Sequence, residues 1–135
     1  MALRVRPGYT LLECMLVLAV AGILAGITIP GLQGQERRMG RLDAVQALTR
    51  VQAEEEAYRA EFGLYTTSLS ALKGVNPVSA QGRYALSLTE LGPQAYRASA
   101  QALGRQQLDQ DCPALTLDVN EGYARIGPSP ACWGR

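Results

Sequence analysis

The chain has 135 residues, a net charge of +1 and a hydrophobic share of 47%. That is enough for one small domain and one extra element, with no strong pull toward nucleic acid. It contains no histidine, which removes the commonest general base, the Ser-His and Cys-His nucleophile pairs and the two-histidine zinc site. No catalytic, cofactor-binding or metal-ligating constellation is expected, and an enzyme is the least favoured class.

The first element is an apolar run. Between Cys14 and Gln35 there is no charged residue, and the apolar part ends near Leu32. About twenty such residues can span a bilayer as a helix. Arg4 and Arg6 precede the run, which predicts that Met1 faces the cytoplasm and the bulk of the chain lies outside it. Glu13, near the start of the run, is the anomaly. A secretory signal with a cut after Ala21 would have its apolar core interrupted by this acid. An ordinary anchor could hold Glu13 at the membrane edge. The third reading gives Glu13 a partner from outside the helix, because a carboxylate within lipid is costly and is a functional suspect by default.

Gly22 and Gly26 form a G-x-x-x-G pair, and Pro30 and Gly31 close the run. Small residues let helices approach, and Pro30 favours a kink. Beyond the run, Ala44, Leu48, Val51, Glu55, Tyr58 and Phe62 recur at helical spacing and predict the packed face of a continuing helix. The run "EEE" at 54–56 reads as a solvated face with Glu55 as one packing position. Gly63 suits the helix end.

After Gly63, Tyr65, Leu69 and Leu72 are candidate anchors. Alternation then predicts strands around Tyr84, Leu86 and Leu88, around Tyr96, Ala98 and Ala100, and around Leu115, Leu117 and Val119. "LGPQ" at 91–94 and "NEG" at 120–122 read as turns, the second leading into a strand from Tyr123 to Ile126. Cys112 and Cys132 flank this last hairpin. Outside the cytoplasm they can oxidise to a disulfide closing about twenty residues, worth roughly 3 kcal/mol in the chain-entropy model. Two unpaired thiols are the alternative. Cys14 reads as a small apolar helix residue.

The stretch "PGYTLLECMLVLAVAGILAGITIPG" resembles the N-terminus of a type IV prepilin. Gly8, Tyr9, Thr10, Leu11, Leu12 and Glu13 follow the family pattern in order, with Tyr9 in place of the usual Phe. The resemblance implies a leader over 1–8, cleavage between Gly8 and Tyr9 by a prepilin peptidase, and N-methylation of Tyr9. It implies an assembly and transmembrane helix over 9–32 and an extracytoplasmic head over 33–135. Glu13 would pair with the Tyr9 amine of a neighbouring subunit, and the stretch from Gly22 to Pro30 would supply helix flexibility.

The implied fold is α+β: a long N-terminal helix, transmembrane in one half and amphipathic in the other. It packs on an antiparallel sheet of about four strands, with a C-terminal loop bounded by Cys112 and Cys132. "PSPACW" resembles the end of small pilins that close on Cys-Trp. The implied function is a structural subunit, a minor pilin. It would sit in the inner membrane before assembly and at the cell surface afterwards. Its expected partners are other pilin subunits, the peptidase, the membrane and the inner-membrane assembly machinery. A type II secretion pseudopilin is the alternative, disfavoured by the cysteine pair. A minor pilin that captures DNA is a further one, which the charge count after residue 62 does not favour.

Overall fold

The computed structural model describes residues 8–135, apart from the side chains at 28–31 and 33. The leader arginines Arg4 and Arg6 therefore lie outside the described residues. The chain divides into two units, Met1–Gln35 and Glu36–Arg135. Helix α1, Leu11–Phe62, contributes to both.

In the first unit the described side chains of α1 are mostly apolar and all exposed. Leu11 and Leu12 are each 80% exposed, and Leu18 and Ile27 are each 72% exposed. A helix that is hydrophobic all round needs lipid or other helices around it.

The second unit is a head with its own core. Strands β1 (Tyr84–Gly92), β2 (Ala95–Ala102), β3 (Ala114–Asn120) and β4 (Tyr123–Gly127) form one antiparallel sheet in the order β1-β2-β3-β4. Each strand pairs with its chain neighbour, so the topology is a simple meander built from local hairpins. The expected alternation holds: Tyr84 and Leu86, Tyr96, Ala98 and Ala100, and Leu115, Leu117 and Val119 are all buried. Ala98, Ala100 and Ala102 give β2 a low inner face, leaving depth for the larger Leu48 and Val51 of α1 in the same core cluster. At the β3–β4 turn both Glu121 (φ 49°) and Gly122 (φ 86°) are left-handed, the backbone of the tight hairpin turn expected at "NEG".

Ala44, Leu48, Val51 and Glu55 of α1 are fully buried and Tyr58 is half-buried. Phe62 departs from the expected face. It is 55% exposed and stacks on Tyr58 with ring centroids 4.4 Å apart. Gly63 follows at once with φ 76° and closes the helix by donating from its N–H to the Arg59 carbonyl, so the last turn has no layer above it to pack on. Leu72 is buried, and Tyr65 and Leu69 are half-buried, as anchors of the connection to β1.

Candidate functional site

The segment that carries the expected processing and assembly residues begins outside the helix. Gly8, Tyr9 and Thr10 are non-helical and exposed. Thr10 caps α1: the Glu13 N–H donates to Thr10 Oγ1 at 3.3 Å and to the Thr10 carbonyl at 3.0 Å. Glu13 is the acid in the first turn, where the helix dipole favours negative charge. Thr10-x-x-Glu13 is thus the spacing of a capping box. The spacing is visible in the sequence alone.

A Cβ built on Gly22 or Gly26 would meet nothing within 4 Å, so both leave open notches on α1. The side chain of Pro30 lies outside the described residues. Among the described residues no helix is long and apolar enough to cross a membrane. The expected 9–32 span includes positions whose side chains are not described. Cys14 is a free, exposed cysteine.

In the head, polar groups on α1 fasten the loops that frame the sheet. Asp43 is buried and accepts from Ser79 Oγ at 2.5 Å and from the Gln81 N–H at 3.1 Å. Ser79 Oγ in turn accepts from the Tyr84 N–H at 3.0 Å, fixing the entry to β1. Arg41 donates to both oxygens of the buried Asp109, at 2.6 and 2.7 Å. Gln106, on the short 3-10 helix Gly104–Leu108, donates to the Arg37 carbonyl at 3.1 Å. Gly40 makes that approach feasible, because a Cβ there would overlap the Gln106 side chain.

Glu55 is also fully buried. Its Oε2 accepts from the Thr66 N–H at 3.0 Å, while Oε1 has no partner among the described residues. Burial pushes its carboxyl above the ordinary range, only partly offset by the Thr66 bond. The hydroxyl of buried Tyr96 also lacks a partner there, and burial raises it far above the usual phenol range.

Cys112 and Cys132 form a disulfide with Cα atoms 5.7 Å apart. Beside it, Trp133 is buried and donates from Nε1 to the Gly127 carbonyl at 2.9 Å. The terminal loop is thus tied both to the start of β3 and to the end of β4.

Comparison with known proteins gives two family matches. Residues 3–29 match the prokaryotic N-terminal methylation motif. Residues 30–116 match the family described as type IV minor pilin ComP, DNA uptake sequence receptor. Curated relatives include type II secretion system core protein G of Pectobacterium carotovorum subsp. carotovorum, 29% identical over 68 residues, covering 50% of this chain and 44% of that protein. The core protein G of Aeromonas hydrophila is 31% identical over 69 residues, covering 51% and 48%. That of Vibrio cholerae is 29% identical over 73 residues, covering 54% and 50%. The chain spans about half the length of the curated relatives it matches.

Proposed function

The chain belongs to the type IV minor pilin family, and from that premise we propose that it is a minor pilin, cut after Gly8 and built into a filament through its N-terminal helix. The observation that carries this reading is the contrast between the two units. The head buries its own core, whereas the described side chains of the first unit's helix are mostly apolar and all exposed. Such a surface is made to be covered, first by lipid and then by the helices of other subunits.

In this reading a prepilin peptidase cleaves between Gly8 and Tyr9, two exposed, non-helical residues, and Tyr9 is N-methylated. The new ammonium pairs with Glu13 of a neighbour, and two groups that are each costly in an apolar core become tolerable together. Gly22 and Pro30 supply flexibility as the subunit leaves the membrane. The inner-membrane assembly machinery moves it from a single-pass position to the surface, with the disulfide-bearing head outside the cytoplasm. No part of this role is enzymatic.

Co-expression with a prepilin peptidase should shorten the chain by its leader and expose Tyr9, read by mass spectrometry. A bulky residue at Gly8 should block the cut. A cut after Ala21 would sink the reading. The matches to core protein G support a second one, a subunit of a secretion pseudopilus. Expression beside each set of assembly components, followed by shearing, separates the two. The family's description also makes DNA a partner class to test. A mobility shift by the full chain, lost at moderate salt and insensitive to sequence, would count only as general electrostatic binding.

A further inference from the structure

One groove in the head has no part in the role described so far. It lies between α1 and the terminal turn. Arg38, Arg41, Leu42 and Val45 line it from α1, and Ala131 and Trp133 line it from the turn. Its volume is about 350 Å³, at the small end of ligand sites. Among the described residues no acidic side chain lines it.

Its walls are held in place by bonds made elsewhere. Arg41 spends Nε and Nη2 on the buried Asp109, at 2.6 and 2.7 Å. That fixes the guanidinium plane and leaves the Nη1 donors. Trp133 spends its indole N–H on the Gly127 carbonyl, and Cys132 before it is bonded to Cys112. Arg38 is exposed and makes no ion pair among the described residues. Arg41 and Asp109 are neutral as a pair, so Arg38 supplies the groove's net charge and Arg41 its directed donors. Asp111 also acts on Arg41, more weakly than Asp109, but does not line the groove. Glu36, two positions before Arg38, does not line it either. Guanidinium groups bind phosphate well, and Leu42, Val45 and Trp133 offer apolar surface beside them. The set suits an anion that carries hydrocarbon.

The place of the groove along the chain selects the source of that anion. Arg38 stands six positions beyond Leu32, where the apolar run ends, about 9 Å at helical rise. Lipid headgroups extend about 5–7 Å beyond the hydrocarbon on each face of a bilayer, and an arginine on its long stem reaches back that far. Cleavage after Gly8 removes Arg4 and Arg6. The basic side chains nearest the apolar run are then Arg37, Arg38 and Arg41, at its exported end. Basic residues ordinarily gather at the other end, so orientation in the membrane does not account for these.

We propose that the groove takes the phosphate headgroup of an anionic phospholipid from the leaflet on the head's side, and so holds the subunit at the membrane before assembly. Its volume suits a headgroup and not a whole lipid. This deepens the proposed function and rests on its membrane stage.

The test uses the full chain in nanodiscs of phosphatidylcholine mixed with phosphatidylglycerol. Two samples share one bilayer composition and differ only in which lipid carries a nitroxide high on its acyl chain. Trp133, the sole tryptophan, reports which lipid sits beside it, because nitroxides quench at short range. Labelled phosphatidylglycerol should be enriched there about fivefold over labelled phosphatidylcholine, and less so as salt rises. Arg38→Glu should abolish the preference. Arg38→Lys should keep part of it, since lysine binds phosphate as a point charge. Arg50→Glu removes the same charge from an exposed position of α1 that does not line the groove, and should leave the preference intact. Unchanged urea midpoints show that these heads are folded. Equal quenching by the two labelled lipids, or equal loss with Arg38→Glu and Arg50→Glu, overturns the proposal. So does loss of the preference when inorganic phosphate or duplex DNA is added at constant ionic strength, which makes free phosphate or nucleic acid the occupant. Insertion is scored separately, by resistance to alkaline extraction. An inserted chain without lipid preference fails the groove and leaves the minor pilin reading standing. A lipid preference without insertion keeps the groove and fails that reading's membrane stage.

Discussion

Arg41 grips Asp109 through two parallel hydrogen bonds, with Asp109 only 2% exposed and Arg41 14% exposed. The pair joins α1 to the loop between β2 and β3, and Gln106 Nε2 adds a bond to the same carboxylate at 3.3 Å. Asp109→Ala strands the guanidinium and frees Gln106 together. Breaking a fully buried pair typically costs about 3–5 kcal/mol, and Arg41 keeps some contact with water, so about 2–3 kcal/mol is expected. Trp133, the sole tryptophan, is a built-in fluorescence probe for urea unfolding. A midpoint within error of wild type would show that the pair is incidental to the head.

Burial raises the Glu55 carboxyl, and the sign of its effect follows. The folded state holds this proton more tightly than the unfolded chain does. Stability therefore rises as pH falls through the raised folded value, and the gain is complete below the unfolded value. Above the folded value the head carries an ionised carboxylate with one oxygen unpartnered. Glu55→Gln keeps an acceptor for the Thr66 N–H and adds a donor with no charge to desolvate. It should be as stable as wild type or more so at neutral pH, and should flatten the mildly acidic slope. A slope unchanged by the substitution would assign it to other carboxylates.

The disulfide closes a separation of 20 residues that spans β3, β4 and the terminal turn. In the chain-entropy model this is worth about 3 kcal/mol. Replacing Cys112 and Cys132 together by Ala should lower the unfolding free energy by about that amount. It should also raise exposure of Trp133, which follows the bridged Cys132 directly in the chain. Quenching of its fluorescence by iodide in the folded state is the direct reading. An unchanged quenching constant would mean that the Gly127 carbonyl holds the ring unaided.

What the sequence discloses and what it hides divides by distance along the chain. Tyr84, Leu86 and Leu88, or Leu115, Leu117 and Val119, announce strands because period-two burial is a local pattern. Glu121 and Gly122 announce their turn for the same reason. Arg41 and Asp109 stand 68 positions apart, and Gly40 meets Gln106 across a similar gap. No periodicity marks such partners, so the bonds of Asp43, Gln106 and Asp109 carry no local signal in the sequence. Phe62 shows the converse: the 3.6-residue pattern continues to it, but the layer it would face has ended. Thr10 and Glu13 stand three positions apart, a local spacing that the sequence displays.

Two roles now compete for Glu13, and its substitutions separate them. Locally its carboxylate sits in the first turn of α1, where an acid near the helix start is worth about 0.3–1 kcal/mol. In the filament reading it meets the Tyr9 amine of a neighbour, and loss of one partner of a buried pair costs about 3–5 kcal/mol. Gln at this position suits the capping-box spacing as well as Glu does, but it carries no charge. Ala removes both. Each variant should insert and be cleaved after Gly8, because the cut site is intact and the acid no longer burdens insertion. If the charge pair governs assembly, Gln and Ala should both nearly vanish from sheared filaments while accumulating in the membrane. If Gln assembles as wild type does and Ala does not, the cap is what the filament needs, and the intersubunit pair is wrong.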